Sequence, residues 1–123
     1  MKQHDEAWKK VAIDAGSMVI GHLVNPREKI WGLLVQLDAV GLVMRGLDLN
    51  SVDDWLRQER QEAAGLISPS SVFVPLHRVE RVYLDEGTAV SSSYADRYAR
   101  DCGGDVREAL MRAPAEVAEG EVQ

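Results

Sequence analysis

Lys29-Ile30-Trp31-Gly32-Leu33-Leu34-Val35-Gln36-Leu37-Asp38 is the stretch on which the fold turns. It is a run of apolar and β-branched residues with one internal glycine, and Asp38-Ala39-Val40-Gly41 closes it in a turn. Such a run, bounded by turn residues, reads as a strand. Glycine weakens a strand interior unless the strand must bend there, so Gly32 predicts a long strand that curls sharply. Working outward, Met18–Val24 is a second apolar run, broken at Asn25-Pro26, and Leu42–Leu47 is a third. Val72–Leu76 and Val79–Leu84 complete a set of five. Short strands with tight punctuation predict a small antiparallel barrel or sandwich. Pro75 cannot donate to a ladder, which places it at a sheet edge or bend.

Helical signals frame these strands. Trp8, Val11, Ala12 and Ala15 recur at helical spacing, predicting an amphipathic helix over 5–15. Ser51 with Asp54 resembles a capping box and opens a helix over about 52–64, inserted before the fourth strand and stopped at Gly65. Gly87–Ser92 reads as a linker. Ser93 with Asp96, and Asp105 with Glu108, open short helices over 94–101 and 106–112. Pro114–Gln123 is acidic and alanine-rich, with the composition of a frayed end. The expected organisation is a barrel domain over 1–86 and a linker with a short helical, acidic tail over 87–123. The expected inward set is Leu33, Val35, Leu37, Val43, Val74 and Val82, although nearly continuous apolar runs leave the strand phase open.

Composition narrows the function. The chain has 123 residues, a length ordinarily taken by one domain, and 46% of them are hydrophobic. No run is long and apolar enough to span a membrane, and the first residues lack the apolar stretch of a secretory signal. With Cys102 as the lone cysteine, a reducing, cytoplasmic setting is expected. Acidic residues outnumber basic ones by 20 to 14, for a formal charge of -6. Residues 1–48 are balanced, and much of the surplus lies in 49–66 and 87–123. Affinity for duplex DNA normally needs a basic patch, so none is expected. The chain has no glycine-rich phosphate loop, no His-Glu-x-x-His, no Cys-x-x-Cys and no Gly-x-Ser-x-Gly. His4, His22 and His77 have no metal-ligand spacing. Cys102 beside Asp101 lacks an electropositive setting, and Asp53-Asp54 is favourable charge at a helix N-terminus. Neither an enzyme, a cofactor nor a metal is expected.

Two stretches carry a resemblance to a known family. Lys29–Asp38, preceded by Val24-Asn25, resembles the first motif of the Sm-like proteins, most closely their bacterial Hfq branch: apolar residue, glycine, alternating apolar residues, then Asp at the turn. Phe73-Val74-Pro75-Leu76-His77-Arg78-Val79-Glu80-Arg81-Val82-Tyr83 resembles the Hfq-type strand, one-turn bend and final strand, with His77 at the bend. The resemblance covers roughly residues 5–86, with 49–70 unmatched. It implies a mainly β fold with added helices: a five-stranded antiparallel, Sm-like (SH3-like) barrel with an N-terminal helix. It further implies a homo-oligomer or ring joined through edge strands, fourth against fifth, whose inner rim meets single-stranded RNA. The residues implied for that contact are His77, Arg78 and Asn25. The chain departs from the pattern at Leu76, where Hfq-type proteins have lysine. It departs again at Ala39, where other Sm proteins have asparagine after the aspartate. His77 is therefore open to two roles, contacting a base or capping the bend through its ring nitrogens. A second function on the same barrel is a protein-interaction module that uses the acidic tail and the insertion helix, with Trp55 and Leu56 as partner-binding residues. Trp55 is equally readable as core.

Overall fold

The computed structural model describes residues 3–62 and 65–112. Among the described residues there are five strands: β1 (Met18–Leu23), β2 (Glu28–Leu37), β3 (Gly41–Asp48), β4 (Ser70–Pro75) and β5 (Val79–Leu84). All pairings are antiparallel, in the order β4-β3-β2-β1-β5, so β4 and β5 are the two edges. A one-turn 3-10 helix, Leu76–Arg78, links the edges. Three helices follow the expected positions: α1 (Val52–Arg60) between β3 and β4, then α2 (Tyr94–Cys102) and α3 (Val106–Met111).

The sheet is apolar on both faces, because successive residues of a strand point to opposite sides. One face gathers Val19, Leu23, Leu34, Leu42, Met44 and Val74, with Val79, Val82 and Leu84 packed against them. The opposite face gathers Met18, Trp31 and Leu47 with Val52, Trp55 and Leu56 of α1, Tyr98 of α2 and Val106, Ala109 and Leu110 of α3. Trp31 lies 5.8 Å from Trp55, which stacks on Tyr98 at 5.5 Å. The helices thus form a second layer, and the strands they cover read as continuous apolar runs for the same reason that strands of two-sided sheets do.

This double burial corrects part of the expected inward set. Val74 and Val82 belong to the inner cluster, whereas Leu33 packs toward the helices. Val35 and Leu37 are 44% and 40% exposed, and Val43 is half-buried. The register shifts between Leu34 and Gln36, so the alternation read through Gly32 does not continue past Leu34. Gly32 sits opposite Gly46, and a Cβ on either would strike the backbone of the facing strand, the close approach that a glycine in a strand signals.

Two helix expectations also change. Residues Gln3–Lys10 form a 3-10 helix broken at Glu6, not a longer α-helix to 15, and Trp8 is 67% exposed. The chain leaves that element to join the sheet, with Gly16 N–H donating to the Leu34 carbonyl and Leu34 N–H to Ser17. The insertion helix ends at Arg60, and Ser51 makes no side-chain cap. The preceding 3-10 turn, Leu49–Ser51, takes that role to Asp48, whose carboxylate accepts from Asn50 N–H. α2 and α3 share the core of the insertion helix. Ser93 and Asp105 cap them as expected, accepting from Asp96 and Arg107 N–H, and Gly103 ends α2 in the left-handed region. The stretch 114–123 lies outside the described residues.

Candidate nucleic-acid interface

The helices cover only part of the outer sheet face. Beyond them, strand register lines up three basic side chains. Lys29 of β2 lies opposite His22 of β1, which lies opposite Arg81 of β5. Residues so paired point to the same face, with Cβ atoms about 5 Å apart. The next outward-facing row is Trp31, Ile20 and Tyr83. His22 meets Tyr83 edge-on at 4.9 Å between ring centroids. The Arg81 guanidinium lies 5.8 Å from the Tyr83 ring centre and donates to its hydroxyl at 2.9 Å. Lys29 and Arg81 are exposed and His22 half-buried.

The electrostatics of this row act on His22. Burial, then the charges of Lys29 and Arg81, push its pKa below the ordinary value, against an opposing pull from Glu80. The ring therefore stays neutral at neutral pH. Glu80 itself stands 3.9 Å from Arg81, a loose and exposed pair of small energetic weight. Cations interleaved with aromatic rings on an open surface are the combination that binds phosphates and stacks bases.

The residues implied by the family resemblance are placed differently. Asn25 occupies the β1–β2 turn at φ 55°, a conformation asparagine tolerates, and is exposed. His77 is exposed on the 3-10 turn. Arg78 does bring the two turns together, but as a clamp: its guanidinium donates to the carbonyls of Val24 and Pro26 and to Glu28, each at 2.9 Å. Its Nε and Nη2 donors are spent on protein oxygens, which gives it a structural role between the two turns. Trp55 and Leu56 are corrected outright as partner-binding residues. Trp55 is 1% exposed and Leu56 is buried, because both lie on the helix face turned to Trp31 and Tyr98.

His22, Lys29, Arg81 and Tyr83 were not singled out by the motifs. Their signal is the polar half of the strand alternation: Arg81 and Tyr83 are two apart, and the β1–β2 turn sets His22 against Lys29. Reading it required knowing that β5 lies beside β1.

The remaining titratable cluster lies between α1, α2 and α3. Tyr98 donates to Glu59 at 3.2 Å, and Arg112 donates to the same carboxylate at 3.1 Å. Burial raises the Tyr98 hydroxyl pKa, followed by the Glu59 charge. The Cys102 thiol is raised by burial, then by Glu59 and Asp101, and points at the Leu56 carbonyl. Both groups are held in their protonated, unreactive forms. Among the described residues, no group of three His, Cys, Asp or Glu side chains could hold a metal ion, and no helix is long and apolar enough to cross a membrane. No protein-family model, curated protein or solved structure matches the chain.

Proposed function

We propose that this chain is a non-enzymatic, Sm-like barrel module that self-associates through its sheet edges and holds single-stranded RNA on the Lys29–His22–Arg81 face. The observation that carries the RNA half is that row, with Tyr83 beside it, on the part of the outer sheet left bare by the helices. Unpaired bases offer a π-face to Tyr83 and His22 that a duplex keeps stacked inside, so a single strand is the favoured form. The row also answers the acidic composition, since it concentrates positive charge in a chain of net charge -6.

Self-association rests on the edges. β4 and β5 each leave one side of a strand unpaired, and an unprotected edge is a template for another strand. Beside β4, Phe73 is 54% exposed, with Val40, Leu37 and Leu76 also exposed. The Leu76 N–H donates to the Val40 carbonyl, which draws the two turns into one apolar patch. A second copy laying β5 along β4 covers that patch and repeats the basic row on each protomer, so that multivalency offsets weak single contacts.

The test is a titration of labelled uridine-rich and adenine-rich RNA at two salt concentrations. Two phosphate contacts per protomer predict a fall in affinity of roughly sevenfold between 50 and 200 mM salt. Lys29→Ala with Arg81→Ala should remove the binding. Absence of binding to either RNA at low salt would sink the proposal and leave a protein-interaction module as the function to pursue.

A further inference from the structure

Past the row, between the end of β5, the following loop and α2, lies a cavity of about 350 Å³. Ile20 and Tyr83 line it from the sheet, Tyr94 and Arg97 from α2, and Ser91 and Ser92 from the loop. We propose that this cavity receives a base of the RNA strand whose phosphates run along Lys29 and Arg81; the inference rests on the function proposed above and assigns it a base-binding subsite.

The chemistry of the walls selects a planar, uncharged group. Tyr83 offers an aromatic surface and Ile20 an apolar one. Arg97 lies over the Tyr94 ring at 5.4 Å, while its charge is engaged by Asp53 at 2.9 Å. An ion-paired guanidinium beside a tyrosine ring offers a planar surface more than an anion receptor. The acidic groups at the cavity point the same way. Asp85 is committed to Trp31 Nε1–H and to the N–H groups of Tyr94 and Ala95. Glu86 is exposed there and repels a phosphate. A base is admitted, its phosphate stays outside, and the Ser91 and Ser92 hydroxyls face its polar edge as both donors and acceptors.

Continuity sets the path. Tyr83 belongs both to the cavity wall and to the basic surface, two residues from Arg81, a step of about 7 Å along the strand. One nucleotide bridges that step, with its phosphate at Arg81 and its base turned past Tyr83. The loop and α2 that complete the cavity lie beyond residue 86, outside the span that resembles the Sm-like proteins.

Two measurements on the full chain decide the matter. In the first, adenosine monophosphate is titrated while backbone amide resonances are followed by NMR. The cavity predicts shifts at Gly87, Thr88, Ser91 and Ser92, and their absence overturns the subsite whatever the RNA result. In the second, an adenine homopolymer and an abasic ribose-phosphate polymer of equal length are compared on wild type, Ser92→Trp and Lys29→Ala/Arg81→Ala. Ser92→Trp fills the cavity from an exposed loop position, and circular dichroism checks that it folds. It should weaken the adenine polymer by about tenfold, the scale of one lost base stack, and leave the abasic polymer unchanged. The double variant should weaken both. If Ser92→Trp binds the adenine polymer as wild type does, the subsite is wrong while the basic row stands. If wild type binds neither polymer, the row is wrong, and the nucleotide titration alone judges the cavity.

Discussion

Replacing Asp85 with alanine should unfasten the helical layer from the sheet. Asp85 follows β5 directly, and its two carboxylate oxygens serve three donors. One oxygen accepts from Trp31 Nε1 at 3.1 Å and from Ala95 N at 2.9 Å, and the other from Tyr94 N at 3.1 Å. Trp31 is fully buried, so its indole N–H loses the acceptor that the fold supplies once the carboxylate is gone. A buried donor left without a partner costs about 1–3 kcal/mol, and loss of an acceptor at a helix N-terminus costs roughly 0.5–2 kcal/mol. The two contributions share one side chain and do not add fully, so a loss of about 2–4 kcal/mol is expected. For a domain of this size about 1 kcal/mol moves the melting temperature by roughly 4 °C, so Asp85→Ala should melt about 8–16 °C below wild type. The assay is thermal unfolding followed by circular dichroism, with urea unfolding to give the free energy directly. Asp85→Asn keeps one acceptor oxygen and should fall between the two. A melting temperature for Asp85→Ala within about 2 °C of wild type would refute the reasoning, because it would mean that neither Trp31 nor α2 depends on this carboxylate.

Phe73→Glu places a charge on the apolar patch beside β4 and should shift the sedimentation profile to monomer with the melting curve nearly unchanged; an unaltered oligomer would remove that edge from the assembly. Arg78→Ala should cost about 1–3 kcal/mol by freeing the carbonyls of Val24 and Pro26, read by urea unfolding, and Arg78→Lys should not restore the loss because a point charge cannot reproduce three directed donors. His22 has a lowered folded pKa, so as pH falls below about 6.5 the unfolded chain takes up its proton first and stability declines until the folded value is reached. Over that same interval phosphate draws the proton onto the folded ring, so RNA affinity should rise as pH falls in wild type, and the rise should vanish in His22→Gln. Cys102 should react slowly with a thiol-specific disulfide reagent at neutral pH and quickly in urea, since burial raises its pKa.

The strand pattern was legible because each run is closed by residues that cannot continue it: Asn25-Pro26, Asp38–Gly41 and the turn around His77. The caps at Ser93 and Asp105 were legible for the same local reason, a side-chain oxygen beside the amides it serves. What the runs did not disclose was phase. Ile30–Leu34 has no polar side chain because both faces are covered, Ile30 and Leu34 by the inner cluster and Trp31 and Leu33 by the helices. A two-state pattern of apolar and polar cannot separate two kinds of buried residue. The same blindness affected Trp55, whose surroundings in sequence are charged: Asp53, Asp54 and Arg57 point away while Trp55 and Leu56 point in. For the RNA-contact candidates the missing signal is a contact distant in sequence. Arg78 carries the right charge at the bend, but its Nε and Nη2 donors face Val24 and Pro26, 54 and 52 residues away in sequence, and no local signal shows that.

The double burial also limits how much of the sheet is left open. A sheet with one core has an entire free face on which to build a site. Here the inner face is filled, and α1, α2 and α3 cover the outer one over Met18, Trp31 and Leu47. The sheet itself is left with the strip on which Lys29, His22 and Arg81 stand and its two edges, and a cavity lies where β5 hands the chain to α2. The strip and the cavity share Tyr83, so a ligand spanning them must touch β5. β5 is also an edge, and its free side is the one a second copy would pair. Under the proposed function, binding and assembly would either compete for space or reinforce each other through this one strand, and the two cases separate experimentally. If a neighbouring β4 orders β5, RNA affinity should rise with protein concentration beyond simple occupancy, and Phe73→Glu should lower it although Phe73 stands at the opposite edge. If the neighbour instead covers Tyr83, Phe73→Glu should raise the affinity of each protomer. Equal affinity per protomer in the assembled and monomeric forms would show that β5 serves the two roles independently.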